Sequence, residues 1–161
     1  MPAWYSSVGT SDDHGETRLR VTAEKTPQNK ILMLMGSESD REIMEKGAQV
    51  LRGHGCDVTL KVSSAHRQPD RTAAFAKGAE EAGYSVVICG AGLSAALPGV
   101  VAAHTHLPVI GVPISAGTLG GLDALLACAQ MPPGVPVATV GIDNAKNAAH
   151  IALRILGLSG G

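Results

Sequence analysis

From Lys30 onward this chain repeats one pattern five times: a short apolar run, then a stretch whose apolar residues recur at helical spacing. The strand-like runs lie near 31–35, 58–63, 85–89, 108–112 and 136–141, and the helical stretches near 41–53, 69–82, 94–105, 120–130 and 144–156. Successive βα units predict parallel strands, because each helix carries the chain back to the edge where the next strand begins. An eight-unit barrel needs far more chain. The 161 residues therefore predict a doubly wound α/β domain with a five-stranded parallel sheet in the flavodoxin-like order 2-1-3-4-5. Residues 1–29 are polar, mixed in charge and without apolar period, and read as a flexible extension ahead of a single domain over 30–161.

Sheets of this kind hold ligands at the carboxyl ends of their strands, so the turns after the strands are where chemistry belongs. The second strand runs into Ser63-Ser64-Ala65-His66-Arg67, and Pro69 suits the first turn of the helix that follows. Free N–H groups at a helix start, with a guanidinium beside them, favour a phosphate, and an imidazole moves protons near neutral pH. A helix cap with a surface histidine and arginine accounts for this loop as well. The first strand runs into Met35-Gly36-Ser37-Glu38-Ser39-Asp40. Gly36 permits close backbone approach, Ser37 and Ser39 offer hydroxyls, and Asp40 caps a helix or accepts hydrogen bonds from a sugar. If the two strands are neighbours, both loops open on one crevice.

The third turn, Gly90-Ala91-Gly92-Leu93-Ser94-Ala95, matches the dinucleotide pattern G-x-G-x-x-G/A. That pattern needs an acid at the end of the next strand, where this chain has Gly111-Val112-Pro113-Ile114. The same turn approximates G-x-S-x-G, followed in esterase order by Asp123 and His150, but His150 falls inside a helical stretch instead of a loop. A glycine turn that lets a ligand or a helix approach the backbone is the preferred reading.

A net charge of −1, with one Trp, two Tyr and one Phe, leaves neither a basic field nor stacking platforms for nucleic acid. Cys56, Cys89 and Cys128 form no CxxC pair and read as buried, reduced thiols. His14, His54, His104 and His106 make no recognisable metal set. No apolar run reaches the roughly 20 residues of a membrane span, and no basic-then-apolar leader opens the chain, so a cytoplasmic protein is expected. The last three helices are rich in Gly and Ala, and burying enough area with such small side chains calls for packing between subunits.

Together these segments give the chain a clear resemblance. MGSESD at 35–40, SAHRQPDR at 64–71, GAGLSAALPG at 90–99 and PVIGVPISAGTLGGLDALLACAQMPPGVPVATVGI at 108–142 resemble the PurE family of purine biosynthesis. The resemblance implies a three-layer α/β/α sandwich, no cofactor or metal, and a homo-octamer with sites formed between subunits. It implies a ribonucleotide substrate with carbon dioxide as intermediate. In the mutase class, carboxyaminoimidazole ribonucleotide moves its carboxylate from the exocyclic nitrogen to ring carbon 4. His66 matches the family's acid–base histidine, and Ser37, Asp40 and Arg67 match nucleotide-binding positions. Ser39, Ser64, Ala65, Gly92, Leu93, Ser94 and Leu97 complete the expected substrate contacts. Two features depart from the pattern. Ala96 stands where the mutase class carries a histidine, and Ser94 and Ala96 fit the class that carboxylates aminoimidazole ribonucleotide directly with carbon dioxide. A nucleotide-binding oligomer without turnover is the third implied possibility. The chain also stops soon after its last helix, where many mutase-class chains continue.

Overall fold

The computed structural model describes residues 29–157. The flexible extension expected over 1–29 therefore lies, except for Asn29, outside the described residues. Five strands, β1 (Lys30–Met35), β2 (Asp57–Val62), β3 (Val86–Gly92), β4 (Val109–Ile114) and β5 (Ala138–Thr139), form one parallel sheet in the order β2-β1-β3-β4-β5. The helices are α1 (Arg41–Gly53), α2 (Pro69–Gly78), α3 (Ala96–Ala102), α4 (Leu122–Ala129) and α5 (Ala145–Ile155). This is the expected doubly wound α/β architecture and strand order.

Side-chain alternation along β1 builds both layers of core. Ile31, Met33 and Met35 join Ala48 and Leu51 of α1 and Ala149 and Leu153 of α5 on one face. Leu32 and Leu34 join Ala76 of α2, Val101 of α3 and Cys128 of α4 on the other. Strands buried on both faces have to be apolar throughout, which is why β1, β3 and β4 read as unbroken runs. Lys30 borders this core, its ammonium donating to the Ala82 carbonyl at 3.0 Å and lying 4.6 Å from the Tyr84 ring centre.

The boundaries differ from the expected ones where backbone chemistry overrides periodicity. The segment Gly90-Ala91-Gly92, expected as turn, is the end of β3 and pairs with Val112, Pro113 and Ile114. The third helix starts at Ala96 instead of 94 because Leu93 and Ala95 sit in left-handed conformation, with φ of 53° and 32°. The helix expected over 69–82 ends at Gly78 and gives way to turns closed by Gly83 at φ 82°. The strand expected over 136–141 shrinks to Ala138–Thr139, since Pro136 has no N–H for the ladder. No described helix is long and apolar enough to cross a membrane. All three cysteines are free and buried, and burial pushes the Cys128 thiol up to about 11 and that of Cys89 higher still, so neither is a thiolate at neutral pH.

Helices α1 and α5 touch where Gly47 meets Ala145: a Cβ on Gly47 would lie 2.5 Å from the Ala145 carbonyl oxygen. Gly53, at the end of the same helix, has open space around it. Gly47→Ala is therefore expected to destabilise the fold by about 1–3 kcal/mol through overpacking. Gly53→Ala should instead stabilise it by up to about 1 kcal/mol through helix propensity. Urea unfolding of the two variants beside the wild type measures both signs.

Candidate active site

The loops that follow β1, β2, β3 and β4 all open at the carboxyl edge of the sheet. The first is fixed at both ends. The Gly36 N–H donates to the Gly90 carbonyl at 3.0 Å, holding the loop beside β3. A reciprocal capping box then shapes it: the Ser37 hydroxyl accepts from the Ser39 N–H at 3.4 Å, and Asp40 Oδ2 accepts from the Ser37 N–H at 3.0 Å. Ser39 Oγ lies 3.0 Å from Ser37 Oγ and 3.2 Å from Asp40 Oδ1. Asp40 is thereby held at 8% exposure.

The second loop hangs from the first. The Ser63 N–H donates to the Met35 carbonyl at 2.8 Å, and the Ser63 hydroxyl, fully buried, meets Thr72 Oγ1 of α2 at 2.8 Å. The Ser64 carbonyl accepts from the Gln68 N–H at 2.8 Å, and its hydroxyl accepts from the Arg67 N–H at 3.3 Å. This tight turn lifts the side chains of His66 and Arg67 into the open. Among the described residues the ion pairs are Arg41–Glu38, Lys46–Glu42 at 3.0 Å and Arg52–Glu45, all along α1 and the turn before it. They leave the guanidinium of Arg67 available to an anion.

The third loop is closed by the Ala95 N–H donating to the Gly92 carbonyl at 3.0 Å. Gly92 is closely packed: a Cβ there would sit 3.0 Å from the Ala116 Cβ and 3.1 Å from the Ile114 carbonyl oxygen, so any side chain would push these neighbours aside. Between these loops lies a cleft of about 350 Å³. All eleven residues nominated from sequence line it: Ser37, Ser39 and Asp40, then Ser64, Ala65, His66 and Arg67, then Gly92, Leu93, Ser94 and Leu97. Of these Leu97 is 2% exposed and belongs mainly to the core. The cleft has two unlike walls. One carries hydroxyls, imidazole, guanidinium and carboxylate; the other, from Ala91 through Leu97 and on to Ala116, is almost wholly apolar.

Sequence reasoning missed Ala91, Ala95 and Ala116 as lining residues, and Gly36 and Ala96, which it singles out in the first and third loops without naming them as contacts, line the cleft too. Ala116 opens the loop after β4, which the carboxyl-edge rule points to as directly as it does the other three. That loop is tethered by Asp143, whose carboxylate accepts from the Ser115 N–H at 2.8 Å and from its hydroxyl at 2.6 Å. The residues of the esterase pattern do not come together. Ser94 lines the cleft, Asp123 Oδ1 accepts from the adjacent Ala124 N–H at 3.0 Å, and His150 faces His54 at the far end of α1, ring centres 6.5 Å apart. Among the described residues no group of three or more His, Cys, Asp or Glu is arranged to hold a metal ion.

The AIR carboxylase family model matches residues 30–160. An N5-carboxyaminoimidazole ribonucleotide mutase of Pyrococcus abyssi is 54% identical over 134 residues, 83% of this chain and 77% of that one. A chloroplastic phosphoribosylaminoimidazole carboxylase of Vigna aconitifolia is 49% identical over 160 residues, 94% of this chain and 29% of that longer one. Among solved structures, Treponema denticola PurE superposes with a TM-score of 0.72 at 31% identity, covering 81% of this chain and 82% of that one.

Burial raises the pKa of Asp40, against the opposing pull of hydrogen bonds from Ser37, Ser39 and Gly36. An acid whose folded pKa is raised binds its proton more tightly folded than unfolded. Stability therefore falls as pH rises from the ordinary carboxylate range through the raised value, and at neutral pH the whole penalty is present. Asp40→Asn keeps an oxygen to accept from the Ser37 N–H and carries no charge. It is expected to melt above the wild type at pH 7, with the difference closing as pH is lowered through the carboxylate range. Thermal melts across pH check this.

Proposed function

Since the chain belongs to the AIR carboxylase family, we propose that it is a cytoplasmic N5-carboxyaminoimidazole ribonucleotide mutase, moving the carboxylate from the exocyclic nitrogen to ring carbon 4, with His66 as acid and base. The observation that carries this reading is the meeting of His66 and Arg67 with the Ser37–Asp40 loop across one cleft. Arg67 pairs with the anionic end of the nucleotide. Ser37, Ser39 and Asp40 hold its sugar and orient the ring. Asp40 supports such a role because it keeps a buried carboxylate at a cost to the free protein, as groups retained for ligands do.

In the first half of the reaction the N–carboxylate bond breaks, its electron pair returns to the exocyclic nitrogen, and that nitrogen takes a proton from the His66 imidazolium. Carbon dioxide is now free in the cleft. Ring carbon 4, nucleophilic like the β-carbon of an enamine, attacks it, and the proton displaced from carbon 4 passes to His66, which ends as it began. No oxidant, metal or external base enters the balance. Holding both partners in one cleft supplies the effective concentration that carbon dioxide lacks in solution.

Ser94 and Ala96 favour a second reading, direct carboxylation of aminoimidazole ribonucleotide by carbon dioxide, because they put no imidazole on the third loop. One experiment separates the two. The purified protein is given the nitrogen-carboxylated substrate, and separately aminoimidazole ribonucleotide with labelled bicarbonate, and both isomers are followed by NMR. Fast isomerisation with little uptake of label is expected. Label uptake with poor isomerisation would assign the direct carboxylase, and binding without either reaction would leave a nucleotide-binding protein. In the same assay His66→Asn should lose about 10²–10⁴-fold in turnover while binding persists. Arg67→Ala should weaken binding by roughly 10- to 100-fold.

The assembly we propose is a homo-octamer with sites at subunit contacts. It is supported by Leu119, Leu122 and Leu126, which are 60%, 50% and 47% exposed along one stripe of α4 and the turn before it. Light scattering should give the mass of eight protomers, and Leu122→Glu with Leu126→Glu should reduce it.

A further inference from the structure

On the apolar wall of the cleft, one large side chain is not accounted for by burial in the core. Leu93 has φ 53°, a conformation that glycine adopts freely and a Cβ-bearing residue adopts only at a cost. Burial does not offset that cost, because the side chain is 54% exposed. Its isobutyl group instead reaches from the third loop to the fourth: a Cβ built on Gly117 would lie 2.9 Å from Leu93 Cδ2. Ala91, Ala95 and Ala116 line the cleft together with Leu93, and so do His66 and Arg67. A strained, half-exposed leucine at the rim of an otherwise functional cavity points to a role in what that cavity holds.

We propose that Leu93 retains carbon dioxide: its side chain covers the apolar wall between the third and fourth loops and keeps the gas in the cleft between cleavage of the N–C bond and formation of the bond to carbon 4. This rests on the mutase reading above. Carbon dioxide is neutral, without hydrogen-bond donors and weakly hydrated, so the alanine-lined wall suits it better than the polar wall, which the nucleotide occupies. Once the N–C bond has broken there are two exits. Recapture by carbon 4 gives the isomer, and escape leaves aminoimidazole ribonucleotide with the proton from His66 on its nitrogen. Leu93 sets the ratio between them. It is a positioning residue and exchanges no proton or electron pair with the substrate.

That ratio is the measurement. Wild type, Leu93→Ala, Leu93→Gly and Leu93→Met are each given the nitrogen-carboxylated substrate in the presence of ¹³C-labelled bicarbonate. NMR then quantifies the carbon-carboxylated product, its label content and the decarboxylated nucleotide, after subtraction of uncatalysed loss. Leu93→Ala and Leu93→Gly are expected to raise the decarboxylated fraction and the label in the product by roughly tenfold, the size of effect that follows losing an isobutyl contact. Leu93→Met, which keeps the bulk, should stay near the wild-type ratio. A ratio of products from the same active sites is unmoved by partial unfolding, and Leu93→Gly relieves backbone strain, so poor folding does not imitate the result. If the wild type isomerises and Leu93→Ala partitions as it does, retention by Leu93 is overturned while the mutase reading stands. If the wild type forms no carbon-carboxylated isomer, that reading falls and this proposal with it.

Discussion

The Gly36 N–H donating to the Gly90 carbonyl prolongs the pairing of β1 with β3 one step past the strand end. On the other side the Ser63 N–H donating to the Met35 carbonyl does the same for β1 and β2. Through these two bonds the three loops of the cleft are continuations of three adjacent strands, and their spacing inherits the rigidity of the sheet. The close approach requires small residues. Gly90 lies against the Met44 thioether, where a Cβ would have no room, and Gly92 lies against the carbonyl of Ile114. The glycines of a run that resembles a nucleotide fingerprint thus sit at close contacts between strand, helix and neighbouring strand.

Most of the architecture was legible because it rests on interactions local in sequence. Strands buried on both faces must be apolar along their whole length, helices between them must be apolar on one face, and the expected strand order is the flavodoxin-like one that suits a chain of this length. The polar loops after β1 and β2 stood out against that background, the third loop's contacts came from the family resemblance, and all eleven residues line one cleft. What periodicity did not reveal depends on single dihedral angles and on long-range neighbours. The start of α3 is set by left-handed Leu93 and Ala95, residue types that give no warning of positive φ. The fourth loop joins the site through Asp143, 28 residues beyond Ser115 in sequence, a pairing with no local signature.

The cleft also shows how a site departs from what folding alone would select. Asp40 is kept nearly buried as an acid, and Leu93 is kept in a glycine conformation. Each opposes the stability of the free protein, and each lies where a ligand would sit. By contrast the three described ion pairs lie on an exposed surface beside the cleft, where solvent screens them and they contribute little. Cost in the free protein separates the two groups of polar and strained residues better than their residue type does.

The contact of α1 with α5, closed by Gly47 on Ala145, has a consequence for synthesis. The apolar face of α1 emerges from the ribosome more than 90 residues before the helix that covers it. Until then the nascent chain displays Met44, Ala48 and Leu51 with only part of their final partners. Transiently exposed apolar surface of this kind is what makes folding intermediates prone to aggregate, and the docking of α5 is the event that covers it.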